Sequence, residues 1–368
     1  MQKTIVVSAV NINKGGTLTI LIDALSALSQ IAQNTNLRVV ALVYNKQLAY
    51  FNNIEYIEIP WAKKNWICRL WCEYVTMREI SQRLASVYLW FSLHDTTPNV
   101  IAQKKVVYCH NPFLFYRWNI SELFIDYKVV LFALFSKYIY KPNLKKNDFI
   151  IVQQEWIKNE FVRLFGVSVE KFIIANPSDS TFSNIDTKNY THQDKYTFFY
   201  PTYPNSYKNI ESICIAAKNL TNKFGCNAFE VLITIDGTKN RYDKMIVRKY
   251  RKTESIKFIG HKNKEEMLKL YATVDCLVFP SKLETWGLPI SEFKVTMRPM
   301  LLADLPYAHT TAQGSACTAF FPPQESLKLE QMMESLICGD ESFLHSVDKI
   351  EPKGKITHSW PELYNLII

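Results

Sequence analysis

Two carboxylates eight residues apart, Glu284 and Glu292, sit in the run Phe279-Pro280-Ser281-Lys282-Leu283-Glu284-Thr285-Trp286-Gly287-Leu288-Pro289-Ile290-Ser291-Glu292. An ionised carboxylate accepts hydrogen bonds through two oxygens, so each could hold a pair of adjacent donor groups on a ligand. The apolar residues 276–279 read as a short buried strand. Pro280 ends it, Gly287 permits a tight backbone approach to a ligand, and Pro289 suits the first turn of a helix. Glu284 is therefore expected in a loop at the carboxyl end of a strand, with Glu292 about one turn into the next helix. In open α/β sheets ligands bind at that edge. A capping carboxylate followed by an exposed helical one would explain neither the Gly nor the Pro.

Other groups able to do chemistry also follow strand-like segments. The loop Asn11-Ile12-Asn13-Lys14-Gly15-Gly16-Thr17 joins a strand to a helix, so its N–H groups and the helix start make an anion site. It is not G-x-G-x-x-G, and a dinucleotide fingerprint fails. Lys208, in Tyr203-Pro204-Asn205-Ser206-Tyr207-Lys208-Asn209, follows the strand 197–200. His94 and Asp95 follow Trp90-Phe91-Ser92-Leu93, and His110 follows Val107-Tyr108-Cys109. Asp95 could act on a ligand, orient His94 or cap a helix. Residues 113–146 mix Phe, Tyr and Trp with Arg117, Lys128, Lys137, Lys141, Lys145 and Lys146. That composition suits an anionic membrane surface, and equally a core helix with a solvated basic end.

The elements that must position these groups alternate. Residues 5–10, 38–44, 106–109 and 149–152 read as strands, and 17–29 carry apolar residues at helical spacing, which predicts parallel βαβ units. The polar stretch 178–195 reads as an interdomain linker. A second series begins at 196–200 and continues through 229–235, 255–259, 276–279 and 300–303. The fold class is α/β, with two Rossmann-like domains facing across a ligand cleft.

Composition narrows the partners. The chain has 368 residues, enough for two domains, and is 48% hydrophobic. Its eight cysteines include no C-x2-C pair, which argues against a zinc site. Cys68 and Cys72, one helical turn apart, are expected to pack. Unpatterned thiols suit a reducing cytoplasm. A strand entered directly from Met1 predicts no signal peptide, and no apolar run reaches about 20 residues, so no bilayer span is expected. The net charge of +9 favours anionic partners. Neither a P-loop nor a G-x-S-x-G elbow is present.

The glutamate run resembles the E-x7-E region of the family 4 glycosyltransferases, retaining enzymes of the GT-B fold. Their wording is close to F-P-S-x-x-E-x-x-G-L-P-x-x-E, matched here at each fixed position. Residues 256–271 resemble the family's strand-Gly-helix segment, and Asp304-Leu305-Pro306 its Asp-x-Pro. Ser359-Trp360 resembles its C-terminus, which often crosses back to the first domain. Residues 92–112 most resemble bacterial enzymes of O-antigen or capsular polysaccharide assembly. The family usually places an Arg before the Lys at 208; Tyr203 stands there instead, which leaves the two-cation diphosphate clamp open, with Arg117 or Lys14 able to compensate.

The resemblance implies a domain at 1–185 for the acceptor, one at 186–350 for the donor, and a helical tail at 351–368. It implies His110, Glu284 and Lys208 as catalytic residues. Gly15, Gly16, Lys208, Gly260, Glu284, Gly287, Leu288 and Glu292 would bind the donor, and His94, Asp95 and Arg117 the acceptor. The implied reaction is retaining transfer from a nucleotide-diphosphate sugar to a growing lipid-linked glycan of the bacterial surface, lipopolysaccharide or capsule. No cofactor and no metal are expected; the absence of Asp-x-Asp argues against the metal-dependent GT-A architecture. The expected location is the cytoplasm, with peripheral contact at the inner face of an anionic membrane. A non-catalytic GT-B subunit that binds nucleotide-sugar or glycan is the alternative, motivated by Tyr203. A nucleic-acid-binding protein is a third reading, opposed by the lack of any such motif.

Overall fold

The computed structural model describes residues 2–84, 86–118, 120–176, 190 and 194–368. Most of the linker expected at 178–195 lies outside them. The chain forms two compact units. The first comprises Met1–Leu114, Leu134–Ser178 and Pro352–Ile368, the second Phe115–Ala133 and Asp179–Glu351.

The strands are β1 (Lys3–Ala9), β2 (Leu37–Val43), β3 (Glu55–Glu58), β4 (Val87–Ser92), β5 (Lys104–Cys109), β6 (Phe149–Val152), β7 (Phe172–Ala175), β8 (Tyr196–Tyr200), β9 (Phe229–Ile233), β10 (Ile256–Phe258), β11 (Cys276–Phe279), β12 (Met300–Ala303), β13 (Thr318–Phe321) and β14 (Lys355–Thr357). The helices are α1 (Gly16–Gln33), α2 (Trp66–Trp71), α3 (Met77–Arg83), α4 (Ile120–Tyr140), α5 (Glu155–Phe165), α6 (Ile210–Phe224), α7 (Arg241–Tyr250), α8 (Lys264–Thr273), α9 (Leu288–Lys294), α10 (Pro306–Thr311), α11 (Ser326–Ile337) and α12 (Trp360–Ile367).

The first unit's sheet runs β14-β7-β6-β5-β4-β1-β2-β3, and its ladders are parallel. A parallel sheet is covered on both faces, so its strands are apolar throughout rather than alternating. Ile5, Val6 and Val7 are all fully buried, Ile5 and Val7 in one cluster and Val6 in the opposite one. The C-terminal segment completes this unit. β14 pairs with β7, and Leu363, Tyr364 and Ile367 of α12 enter the core with α1. The Tyr364 hydroxyl donates to Ala24 O at 3.0 Å.

The second unit's sheet runs β10-β9-β8-β11-β12-β13, again parallel. Counted from β8 this is the doubly wound order 3-2-1-4-5-6, which reverses between β8 and β11. β8, β11 and β12 span the residues read as strands from sequence. β3, β7, β13 and β14 were not read as strands from the sequence: each has only three or four residues, too few for a period to show. Residues 115–133, early in the chain, belong to this second unit.

Candidate active site

Where strand order reverses, crossover helices leave to opposite sides and the loops after the two central strands bound an open crevice. In the second unit these loops follow β8 and β11. They are tied together: Lys282 N–H donates to Tyr207 O at 2.8 Å, and Asn209 Nδ2 donates to Pro280 O at 3.2 Å and Pro323 O at 2.8 Å. Asn209 is left-handed, φ 56°, which turns the chain from a short 3-10 turn at Ser206–Lys208 into α6. The result places the Lys208 ammonium on Glu284 Oε1 as a charged hydrogen bond, both side chains about 15% exposed. Burial acts to lower the Lys208 pKa, but the Glu284 carboxylate and Tyr207 outweigh it, and the net shift is upward. Lys208 thus stays a cation in a half-dry site.

Gly287 caps α9 at φ +84°. A Cβ there would lie 3.2 Å from Ile290 Cδ1 and 3.4 Å from the Tyr307 ring, so the demand for glycine comes from the protein's own packing. Pro289 sits in the first turn and Leu288, 39% exposed, opens the helix. Glu292 is half-buried and accepts the Tyr271 hydroxyl from α8 at 2.5 Å. Burial raises its pKa, against the opposing pull of Tyr271 and Lys264. Gly260, φ +68°, follows β10; a Cβ there would meet Asp236 Oδ2 at 3.4 Å.

The same reversal occurs in the first unit between β1 and β4. The loop after β1 ends at Gly15, φ 69° and ψ −164°, a region open essentially to glycine alone. Among the described residues, no atom lies within 4 Å of a Cβ built at Gly15 or Gly16. α1 starts there with no side-chain cap and no acidic residue in its first turn, which keeps its positive end available to an anion.

His94, just past β4, is wholly enclosed. Its ring meets Ser8 Oγ at 3.0 Å and Thr96 Oγ1 at 3.0 Å, with Glu73 Oε1 at 3.6 Å. Burial first, then the charge of Arg69, drives its pKa well below the ordinary histidine value. Asp95 and His110, on loops after the adjacent β4 and β5, come together: His110 Nε2 lies 3.5 Å from Asp95 Oδ2. Arg117 is exposed and falls in the second unit. Its neighbour Tyr116 packs edge-on to Tyr207 at 6.2 Å, beside Lys208.

Several site residues were not legible in the sequence. Tyr271 supports Glu292, and Glu122 receives both Lys282, at 3.2 Å, and the Tyr116 hydroxyl, at 2.7 Å. Glu73 sits in a π-helical turn at Cys72–Thr76, bonded to Arg69 and to Thr96 Oγ1 at 2.8 Å. Tyr271 closes the segment 256–271 without standing out in it, and Glu73 and Glu122 lie in no motif; of these two, the conspicuous acid Glu122 amid an aromatic-basic stretch offered a signal.

Residues 182–337 match the family model for glycosyl transferases group 1. No curated protein matches the chain in sequence. Solved structures do match. A glycosyltransferase from Rickettsia africae ESF-5 superposes with TM-score 0.63 at 15% identity, covering 92% of this chain and 89% of that one. Anabaena HepE, solved with UDP and glucose, gives 0.60 at 12%, covering 93% and 92%. WaaG, a glycosyltransferase involved in lipopolysaccharide biosynthesis, gives 0.62 at 13%, covering 91% and 90%. The fold is that of GT-B glycosyltransferases, built of two Rossmann-like α/β units.

Proposed function

We propose that the chain is a retaining glycosyltransferase that moves a sugar from a nucleotide-diphosphate donor to a hydroxyl of a growing, lipid-linked bacterial surface glycan. The observation that carries this reading is the Lys208–Glu284 pair at the strand-order reversal of the second unit, inside the segment that matches the group 1 model. The ligands of HepE, UDP and glucose, support a nucleotide-sugar donor, and the involvement of WaaG in lipopolysaccharide biosynthesis supports an acceptor of that type.

Roles divide by chemistry. Lys208 meets the negative charge that grows on the departing diphosphate, which electrostatic preorganisation makes worth most in a dry site. Glu284 then exchanges its ammonium partner for the sugar hydroxyls. Glu292, with one oxygen held by Tyr271, offers the other to the ribose diol. Gly15 and Gly16 present N–H groups to phosphate. His110 faces the transferred sugar. The donor's β-phosphate takes the acceptor proton on the face from which it departs, so no separate base is assigned and the anomeric configuration is kept. Cations and amides carry the charge in this scheme, and it uses no metal. Arg117, next to the Tyr116 that packs on Tyr207, takes the place of the cation lost at Tyr203.

No described helix is long and apolar enough to cross a membrane. Peripheral contact is supported by α4, where the exposed residues Tyr127, Leu131, Leu134, Phe135 and Tyr138 recur at helical spacing among exposed lysines.

The test is transfer of radiolabelled sugar from UDP-, GDP- and dTDP-linked donors. Lys208→Ala and Glu284→Ala are each expected to lower turnover about a hundredfold or more. Full activity in both overturns the assignment. Donor binding without turnover on any acceptor favours a non-catalytic subunit, the reading that Tyr203 motivates.

A further inference from the structure

Asp95 is clamped where few non-glycine residues sit. Its backbone is left-handed, φ +70°, and its N–H donates to Tyr108 O at 3.2 Å. Its Oδ1 accepts the backbone N–H of His110 at 2.7 Å and of Asn111 at 3.0 Å. Cys109 Sγ lies 3.7 Å from its carbonyl oxygen. Adjacent parallel strands β4 and β5 end at one sheet edge, so this carboxylate ties the two following loops together. The second oxygen, Oδ2, is left 3.5 Å from His110 Nε2. The other ring nitrogen of His110, Nδ1, is buried with no hydrogen-bond partner among the described residues, and the side chain is only 8% exposed.

An ionised carboxylate can only accept, so a neutral imidazole beside it carries its proton on the near nitrogen. We propose that Asp95 is a positioning residue for the transfer reaction: it holds the His110 loop and fixes the ring as the Nε2–H tautomer, leaving Nδ1 as a bare, buried acceptor. A lone pair in that place suits positive charge developing on the sugar ring as the diphosphate departs, an electrostatic effect that needs no direct contact. A ring presenting N–H there would oppose that charge. The inference rests on the reading that His110 faces the transferred sugar, although the tautomer itself does not.

Asp95→Asn separates the two duties of the carboxylate. The asparagine oxygen stays on the backbone N–H groups of His110 and Asn111, since turning the amide would set donor against donor. Its NH2 then faces Nε2 and demands an acceptor there, which moves the ring proton to Nδ1. The measurement is a long-range 15N–1H correlation spectrum of the full chain, recorded at alkaline pH where the spectrum itself reports neutral rings. The His110 signals are assigned by their loss in His110→Gln.

Wild type is expected to show a pyrrole-type Nε2 and a pyridine-type Nδ1, and Asp95→Asn is expected to exchange them. With the donor selected by thermal shift, the same variant should lower kcat roughly five- to tenfold, with KM little changed. A wild-type ring protonated on Nδ1, or an Asp95→Asn protein that keeps the wild-type tautomer, overturns the proposal. If Asp95→Asn fails to fold, the wild-type spectrum alone decides. If the tautomer is as stated but His110→Gln transfers sugar normally, the role of His110 fails and the positioning by Asp95 stands.

Discussion

Single residues in this protein act through the partner that tertiary packing hands them. His94 shows it most clearly. Its sequence context, one residue from Asp95 and just past a strand, suggested contact with an acceptor. The folded ring instead bridges Ser8 on β1 and Thr96, inside the first unit. Burial and the Arg69 charge keep it neutral in the folded state, even with Glu73 nearby. The unfolded chain protonates this histidine near pH 6.5. Below that pH the unfolded state therefore binds the extra proton, and stability falls as the pH drops, by up to about 1.4 kcal/mol per pH unit from this group alone. Urea melts between pH 5 and 8 should show the slope, and His94→Gln should flatten it; an unchanged slope would mean that His94 charges freely when folded.

Among the described elements, α4 carries the clearest exposed apolar stripe. It is broken at Asp126, φ −147° and ψ 70°, and the helix beyond the break buries Val130, Ser136 and Tyr140 while exposing its apolar stripe. Helices of globular proteins normally turn such a stripe inward. The flanking lysines add electrostatic attraction to anionic lipid, about 1 kcal/mol for each one near the surface. Replacing Leu134 and Phe135 together by Ser should abolish co-sedimentation with vesicles containing phosphatidylglycerol, with the melting temperature unchanged. Equal binding of wild type and variant would assign the stripe to something other than lipid.

For the whole molecule, the order of segments in the chain is not the order of the units. Pro352–Ile368 belongs with the first unit, and residues 115–133 with the second. Three apolar side chains of α12 are buried in the first core, where each contributes about 1.5–3 kcal/mol. The Ile368 main-chain oxygen accepts a bond from the Tyr88 hydroxyl at 2.5 Å and one from Lys104 Nζ at 3.3 Å. A chain ending at Glu351 should lose about 5 kcal/mol or more of stability in the first unit. Limited proteolysis would then cut early within residues 1–114, while 190–351 resists; equal protection of both would show that the tail is dispensable.

The sequence by itself determined what short-range chemistry can encode. Proline and glycine constrain the backbone wherever they stand, and a β-branched apolar run is a strand in a parallel sheet. So the strand, loop and helix start that carry Glu284, Gly287 and Glu292 were readable, as was the alternation of an α/β fold. Local pattern cannot say which residues meet across strands. Tertiary structure alone decided that Lys208 bonds to Glu284, that Tyr271 holds Glu292, that Asp95 serves His110 and that His94 is sealed inside. Those pairings follow from strand order and from the side to which each crossover packs, which are set by the burial of whole faces and leave no mark at the positions that come together.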